Sequence, residues 1–287
     1  MRFGLVPINV GMTSLEEILG YAHLAEANSF TSVWTYEHIV MPLHYDSWYA
    51  GNPKTGKLAE SPETNFLDST AVLSAIAATT TTLRIATGVN VLPQSNPLIV
   101  AKQAASLDLL SNGRFTYGVG LGWLKEEFDA MGVPFARRGA RFDDYLEAIK
   151  KVWSGEVVEH RSEFLDWHGF KSYPVPRERK VPIVIGGYNS KTCGRIARHC
   201  DGWYMPGYYA RDLRPMVEDL RRACADVGRD LDEIELICMW APASGTDELK
   251  ALEELGIRHA LIHFKFLEGY RADAIKRLGD EVVSAFS

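Results

Sequence analysis

The sequence predicts an α/β fold: a single (β/α)8 TIM barrel with insertion loops after strand 2 and before strand 5. Short apolar, β-branched runs alternate with longer stretches of helical period along all 287 residues. Such alternation implies parallel strands joined by right-handed crossovers. Eight strand–helix units can be counted, and that number in a chain of this length suits one closed barrel, spanning 1–287, better than two open-sheet domains.

The predicted strands fall at 2–6, 32–36, 83–89, 115–119, 182–185, 202–205, 233–239 and 260–264. Each is a short apolar or β-branched run bounded by polar or turn residues. The helical segments carry apolar residues at i, i+3, i+4 and i+7. Phe142, Tyr145, Leu146, Ile149, Val152 and Trp153 share one such face, and Leu213, Met216, Val217, Leu220 and Cys224 share another. Two stretches break the alternation. Residues 38–66 are rich in Pro, Gly and Asn, and residues 156–180 read as a hairpin excursion around Trp167. Loops this long inside a compact domain are lids or binding segments, or surface insertions without a role.

Composition narrows the function classes. Apolar residues make up 46% and charged residues 24%, and Lys+Arg minus Asp+Glu is 31 − 37 = −6. A mildly acidic chain of globular composition is not expected to bind nucleic acid or an anionic membrane. Cys193, Cys200, Cys224 and Cys238 form no C-x-x-C pair, so neither a zinc cluster nor a redox dithiol is expected. No cleavable leader and no run of 18 apolar residues is visible, and the scattered thiols fit a reducing compartment; a cytoplasmic location is expected. The histidines form no H-x-H or H-E-x-x-H, and no G-x-S-x-G or G-x-x-x-x-G-K-[ST] occurs, so no metal site, serine nucleophile or nucleotide P-loop is expected.

Catalytic groups of a barrel gather at the C-terminal ends of its strands. The residues there are mostly glycines and aromatics, which suit a flat, partly apolar ring and a small-molecule substrate. Gly186-Gly187 leads to a helix predicted to open near Asn189-Ser190. Backbone N–H groups at such a turn bind a phosphate, although an ordinary tight turn has the same spelling. His38 follows the second strand beside Glu37, where an imidazole can bond a ring carbonyl or move a proton, or simply bond the backbone. Tyr36, Trp123 and Tyr208 are candidate pocket walls, or core aromatics. Arg137, Arg138 and Arg141 are helix-surface charges or partners of an anionic tail. Gly118-x-Gly120-x-Gly122 is followed by Trp123, not by the third glycine of a dinucleotide fingerprint.

Longer words are more specific. RIATGV at 84–89, NPLIVAKQ at 96–103, LDLLSNGRF at 107–115, GVGLGW at 118–123, Glu127-Phe128, GVPF at 132–135, RGAR at 138–141, PIVIGG at 182–187 and ARHCDGW at 197–203 resemble the bacterial luciferase-like flavin barrel superfamily. Within it, the pattern is most similar to the actinobacterial branch of coenzyme F420-dependent oxidoreductases. The resemblance implies F420 as cofactor, with FMN as the alternative. It implies that Gly186, Gly187, Tyr188, Asn189 and Ser190 hold the cofactor phosphate. A non-prolyl cis peptide between Gly88 and Val89, with Asn90 and Gly120 beside it, would support the ring, and His38 with Glu37 would carry the chemistry. The implied reaction is hydride transfer to or from a small organic substrate, in a homodimer. The alternatives are a two-component FMN monooxygenase served by a separate reductase, and a non-catalytic flavin-binding barrel. Family members acting on sugar phosphates carry a Glu after the fourth-strand glycines and a Trp shortly after the histidine. Trp123 and Met41-Pro42 stand in those places here, so that chemistry is not implied.

Overall fold

The computed structural model describes residues 1–267 and 271–286. β1 (Arg2–Val6) leads through α1 (Leu15–Ala27) to β2 (Ser32–Thr35), and α2 (Ser69–Thr79) leads to β3 (Arg84–Thr87). A two-residue β4 (Asn90–Val91) precedes α3 (Pro97–Leu110), β5 (Phe115–Gly120), α4 (Lys125–Ala130) and α5 (Arg138–Trp153). The hairpin β6 (Val158–Arg161) and β7 (Asp166–Phe170) is followed by β8 (Ile183–Gly186), α6 (Thr192–His199), β9 (Gly202–Tyr204) and α7 (Ala210–Asp226). The chain continues through β10 (Glu235–Met239), α8 (Gly245–Glu254), β11 (His259–His263) and α9 (Arg271–Leu278). Several helix starts follow from their caps. Ser14, Asp68 and Asn96 accept backbone N–H groups of the first turns of α1, α2 and α3, and Pro97 follows Asn96 where its missing N–H costs nothing. None of the described helices is long and apolar enough to cross a membrane.

Eight strands close into a parallel barrel in the order β1, β2, β3, β5, β8, β9, β10, β11 and back to β1. Both predicted insertions are present: an irregular segment after β2, and the antiparallel β6–β7 hairpin before β8. Strand ends differ from the expected ones by one or two residues, with one informative exception. The predicted third strand at 83–89 breaks at Gly88, where a cis peptide joins Gly88 to Val89, and β4 resumes beyond it. The cause lies on the neighbouring strand β5. A Cβ at Gly118 would stand 1.8 Å from the Thr87 carbonyl oxygen, so the β3 and β5 backbones meet where no side chain fits.

Strand alternation divides the side chains into two populations. Phe3, Leu5, Val33, Ile85, Val119, Ile185 and Trp203 face the helices in the main core. Val6, Trp34, Ala86, Val184, Ile237 and Leu261 form a separate cluster that fills the barrel. Below it, at the N-terminal ends of the strands, lies a polar floor. Glu235 pairs with Arg2 at 2.7 Å and with His259 at 3.0 Å, His259 meets Ser32 at 2.8 Å, and Trp34 Nε1 donates to Ser32 at 2.9 Å. Burial keeps His259 neutral, while the His259 hydrogen bond and the charges of Arg2 and Arg84 hold Glu235 ionised against its own burial.

Overpacking at the closing seam sets a stability test. Gly118→Ala is expected to cost about 1–3 kcal/mol, the usual range for an inserted methyl that must displace backbone. Gly20→Ala, in an exposed turn of α1 with nothing within 4 Å, is expected to stabilise by roughly 0.5–1 kcal/mol. Urea denaturation of both variants measures the contrast.

Candidate functional site

Two residues past the barrel-filling layer, at the C-terminal mouth, the inward positions carry Tyr36, Gly88, Gly120, Gly186, Tyr204, Met239 and His263. The mouth therefore has a glycine side, on β3, β5 and β8, and an aromatic side, on β2, β9 and β11. The glycine side is not empty. A Cβ at Gly120 would lie 2.6 Å from Val89 Cγ2, and one at Gly186 would lie 2.8 Å from Val89 Cγ1. Val89 occupies the space that both glycines vacate, and Gly88, Val89 and Asn90 remain partly exposed as the floor of the mouth.

Glu37 holds that floor in place. Its carboxylate accepts Asn90 Nδ2 at 2.9 Å on each oxygen and the Val91 N–H at 2.9 Å, while Tyr117 donates to Asn90 Oδ1 at 2.7 Å. Burial raises the Glu37 pKa, against the lowering effect of those hydrogen bonds. The Asn90 amide is committed at both ends, so Asn90 offers a ligand its backbone. Glu37 is a clamp on the bulge.

His38 is held by a residue the sequence reading did not single out as functional. Glu127, on α4 and 2% exposed, meets His38 Nδ1 at 3.1 Å through Oε2, and its Oε1 accepts the N–H groups of Ile39 at 2.6 Å and Val40 at 3.3 Å. With a carboxylate as partner, Nδ1 carries the proton. Nε2 has no partner among the described residues. Phe66 stands edge-on to the imidazole at 5.4 Å and Trp123 at 6.1 Å. The signal for Glu127 was its place beside Phe128, an acid on the side of a short amphipathic helix that the core buries.

The insertion, residues 38–66, arches over this side of the mouth. Buried Asn9 ties its two ends by donating to the Tyr36 and Leu67 carbonyls and accepting the Tyr36 N–H. Glu126, next to Glu127, holds its middle by accepting the Asp46 N–H at 2.8 Å, the Ser47 N–H at 3.2 Å and the Ser47 hydroxyl at 2.6 Å. Tyr45 and Tyr49 of the insertion meet Trp123 at 5.7 and 4.9 Å. Of the three predicted pocket residues, Trp123 thus stands beside His38. Tyr36 packs at 5.7 Å on His263, and Tyr208 at 5.7 Å on Phe266. Tyr49, Tyr204 and His263 were not predicted, although strand alternation marks the last two as inward. Burial and the charges of Lys265 and Arg271 press the His263 pKa down to about 3, and its Nδ1 accepts the Lys265 N–H at 3.0 Å.

The glycine turn after β8 differs from expectation in one detail. The helix begins at Thr192, not near Asn189, because the Asn189 side chain accepts the Lys191 N–H and its backbone N–H donates to the Thr192 hydroxyl. Gly187 has φ +88° and nothing within 4 Å of a built Cβ, so glycine is needed there for conformation, whereas Gly186 is needed for Val89. The N–H groups of Tyr188 and Ser190 make no hydrogen bond among the described residues. Tyr188, Asn189 and Ser190 line a cavity of about 330 Å³ with Arg222 and Asp219. Tyr188 stacks on Trp203 at 5.9 Å, and Asp219 accepts from both Tyr188 and Arg222. The three arginines of α5 serve the framework instead. Arg141 donates to the Pro93 and Pro134 carbonyls, Arg138 to the Gly122 carbonyl, and Arg137 pairs with Glu163.

The model of the luciferase-like monooxygenase family matches residues 1–282. An uncharacterized protein of Mycobacterium tuberculosis is 31% identical over 265 residues, 92% of this chain and 90% of its own. The FMNH(2)-dependent dimethylsulfone monooxygenase of Pseudomonas putida is 27% identical over 165 residues, 56% of this chain and 45% of its own. The coenzyme F420 dependent tetrahydromethanopterin reductase of Methanopyrus kandleri superposes with a TM-score of 0.82 at 16% identity, over 100% of this chain and 99% of that one, a likeness of fold.

The Glu126 latch carries a pH prediction. Burial opposes ionisation, but the Ser47 hydroxyl and the backbone N–H groups overcome it and hold the pKa at about 2, against 4.5 for a free Glu. A depressed folded pKa means that the latch is at full strength above about 4.5 and is lost as the pH falls towards 2. Hydrogen-exchange protection of residues 45–50 is expected to fall across that window in the wild type. In Glu126→Gln it is expected to be low already at neutral pH.

Proposed function

The chain belongs to the luciferase-like monooxygenase family, and on that premise we propose that it is a coenzyme F420-dependent oxidoreductase moving a hydride to or from a small organic molecule. The observation that carries this reading is the pairing of an accessible Gly88-Val89-Asn90 floor, clamped by Glu37, with an imidazole whose Nδ1 is committed and whose Nε2 is free. The residues fit a flat ring bearing a phosphate: Gly88, Val89 and Asn90 would hold the ring, and the free amides of Tyr188 and Ser190, beside the Arg222–Asp219 pair, would hold the phosphate.

When bound, the deazaflavin supplies a two-electron hydride step, and the protein contributes position and electrostatics. Glu37 keeps the bulge in register with the mouth. Glu127 orients His38 so that Nε2 accepts or holds a proton, a role typical of a general base with a second group behind it. Tyr36 and Tyr204 stand on the other side, and Glu126 anchors the insertion beside His38 through Ser47.

A second reading has support in the relative whose name states FMNH(2) dependence. In it the same floor takes FMN, oxygen is consumed, and a separate reductase supplies the reduced flavin. A barrel that carries the cofactor without turnover is the third. A cytoplasmic homodimer is our working picture for all three.

Titration with F420 and with FMN, followed by turnover assays with and without oxygen, separates the readings. Tight F420 binding without FMN binding is expected; FMN binding with oxygen uptake would replace the first reading by the second. His38→Ala is expected to lower turnover by roughly 10²–10⁴-fold while leaving cofactor affinity nearly unchanged. Gly186→Ala, which displaces Val89, is expected to weaken cofactor binding by about tenfold, or ~1.4 kcal/mol.

A further inference from the structure

A second imidazole stands at the mouth, and its proton is placed opposite to that of His38. His263 ends β11, two residues past Leu261 of the barrel-filling layer, so its side chain points inward. Its ring meets Tyr36 edge-on at 5.7 Å and Phe266 at 6.1 Å, and the Tyr36 hydroxyl reaches the Met239 sulfur at 4.0 Å. Tyr36 and Met239 rest directly on the same layer. In the closed order of strands, β11 lies four places from β5 in either direction, so His263 faces Gly120 and the bulge from the opposite wall.

Geometry fixes the proton on this ring. The Lys265 backbone N–H can only donate, and it donates to Nδ1 at 3.0 Å, so Nδ1 holds the lone pair and Nε2 carries the hydrogen. In His38 the Glu127 carboxylate imposes the reverse, Nδ1–H with a lone pair on Nε2. His263 is 8% exposed, and its Nε2 has no partner among the described residues. Among those residues the sealed, unpartnered side-chain atoms are Thr35 Oγ1, the Gln94 amide and His160 Nδ1; Nε2 of His263 opens into the mouth instead. Lys265 and Arg271 are the charges that act on the ring, from 5.1 Å over Phe266 and 5.5 Å over Phe264. Neither has an ion-pair partner among the described residues. With burial they keep His263 neutral, and their field favours a partly negative oxygen at Nε2 over an ammonium.

We propose that His263 binds the substrate, donating from Nε2–H to a carbonyl-type oxygen, and so sets which functional group the mouth accepts. This rests on reading the floor of the mouth as the site of a flavin-type cofactor. A ring held on that floor turns its other face to the opposite wall, where His263 supplies a donor. Capping of residues 264–266 does not account for the imidazole, because an Asn or Asp accepts the same N–H without reaching beyond it. A neutral hydrogen bond of this kind is worth about fivefold in affinity.

Nitrogen NMR and a pair of ligands test the tautomer and the oxygen separately. In protein carrying 15N-labelled histidine, His263 is expected to be neutral with its proton on Nε2 from about pH 5 to 9. Its signals are assigned by their loss in His263→Asn. Cyclohexanone and methylenecyclohexane share a shape, but only the ketone accepts a hydrogen bond. Calorimetry reads both on the protein alone and on protein mixed with F420 or FMN. Cyclohexanone is expected to move the Nε2–H signal, and methylenecyclohexane to leave it in place. His263→Asn keeps the cap acceptor and loses the distal donor; it is expected to weaken the ketone about fivefold and change the alkene less than about twofold. His263→Gln, whose amide reaches the Nε2 position, is expected to retain part of the ketone's affinity. Circular dichroism and the urea midpoint check that both variants are folded. The proposal is overturned if the proton sits on Nδ1, if the ketone binds in no form or leaves Nε2–H unmoved, or if His263→Asn weakens both ligands alike or neither. A harmless His263→Asn beside a damaging His263→Gln would reduce His263 to a cap and overturn it too. Failure of the cofactor reading looks different: neither F420 nor FMN binds, while the ketone and the NMR signals still report on His263.

Discussion

The barrel closes where β3 meets β5, and the mouth takes its shape from how tightly that seam is drawn. Thr87 and Gly118 approach until no Cβ fits between them, and the Thr87 hydroxyl donates to the Gly118 carbonyl at 2.7 Å. A strand held so closely cannot run straight on. It leaves the ladder at Gly88, swings Val89 across the opening and rejoins β5 at Asn90. Gly120 and Gly186 follow from the same event, because each leaves room for Val89. Gly120 on β5 and Gly186 on β8 thus have one steric cause.

Charge is distributed along the barrel axis with equal economy. The floor holds Arg2, Arg84, Glu235 and His259, with the acid ionised and the histidine neutral. A layer led by Trp34 separates it from the mouth, where phenols and imidazoles dominate. Carboxylates that do reach the mouth are spent on backbone and side-chain N–H groups, which removes them as free charges and gives the loops fixed geometry.

Much of this was legible in the residues. The alternation of period two with period 3.6 identifies eight strands and places both insertions, because burial on one face writes itself directly into local sequence. His38 and the Gly186-Gly187 turn could be picked out because barrel chemistry gathers just past strand ends. Glu127 was harder. It lies 89 residues from His38 along the chain, and only the packing of α4 against the segment after β2 brings them to 3.1 Å. The break at Gly88 was invisible to periodicity for the same reason: its cause sits on another strand, and it was expected only through likeness to a family. The delayed start of α6 reflects a side-chain hydrogen bond by Asn189, a local choice that spacing alone does not reveal.

Glu126 and Glu127 are neighbours in sequence, and a single helix turn carries both the arm that steadies the histidine and the arm that holds the lid. The six-residue α4 works as a common axle for two otherwise separate parts. Adding or removing one residue before it would turn the pair by about 100° and detach both at once. The orientation of His38 and the anchoring of the insertion are therefore coupled through one short helix, and a change that shifts one shifts the other.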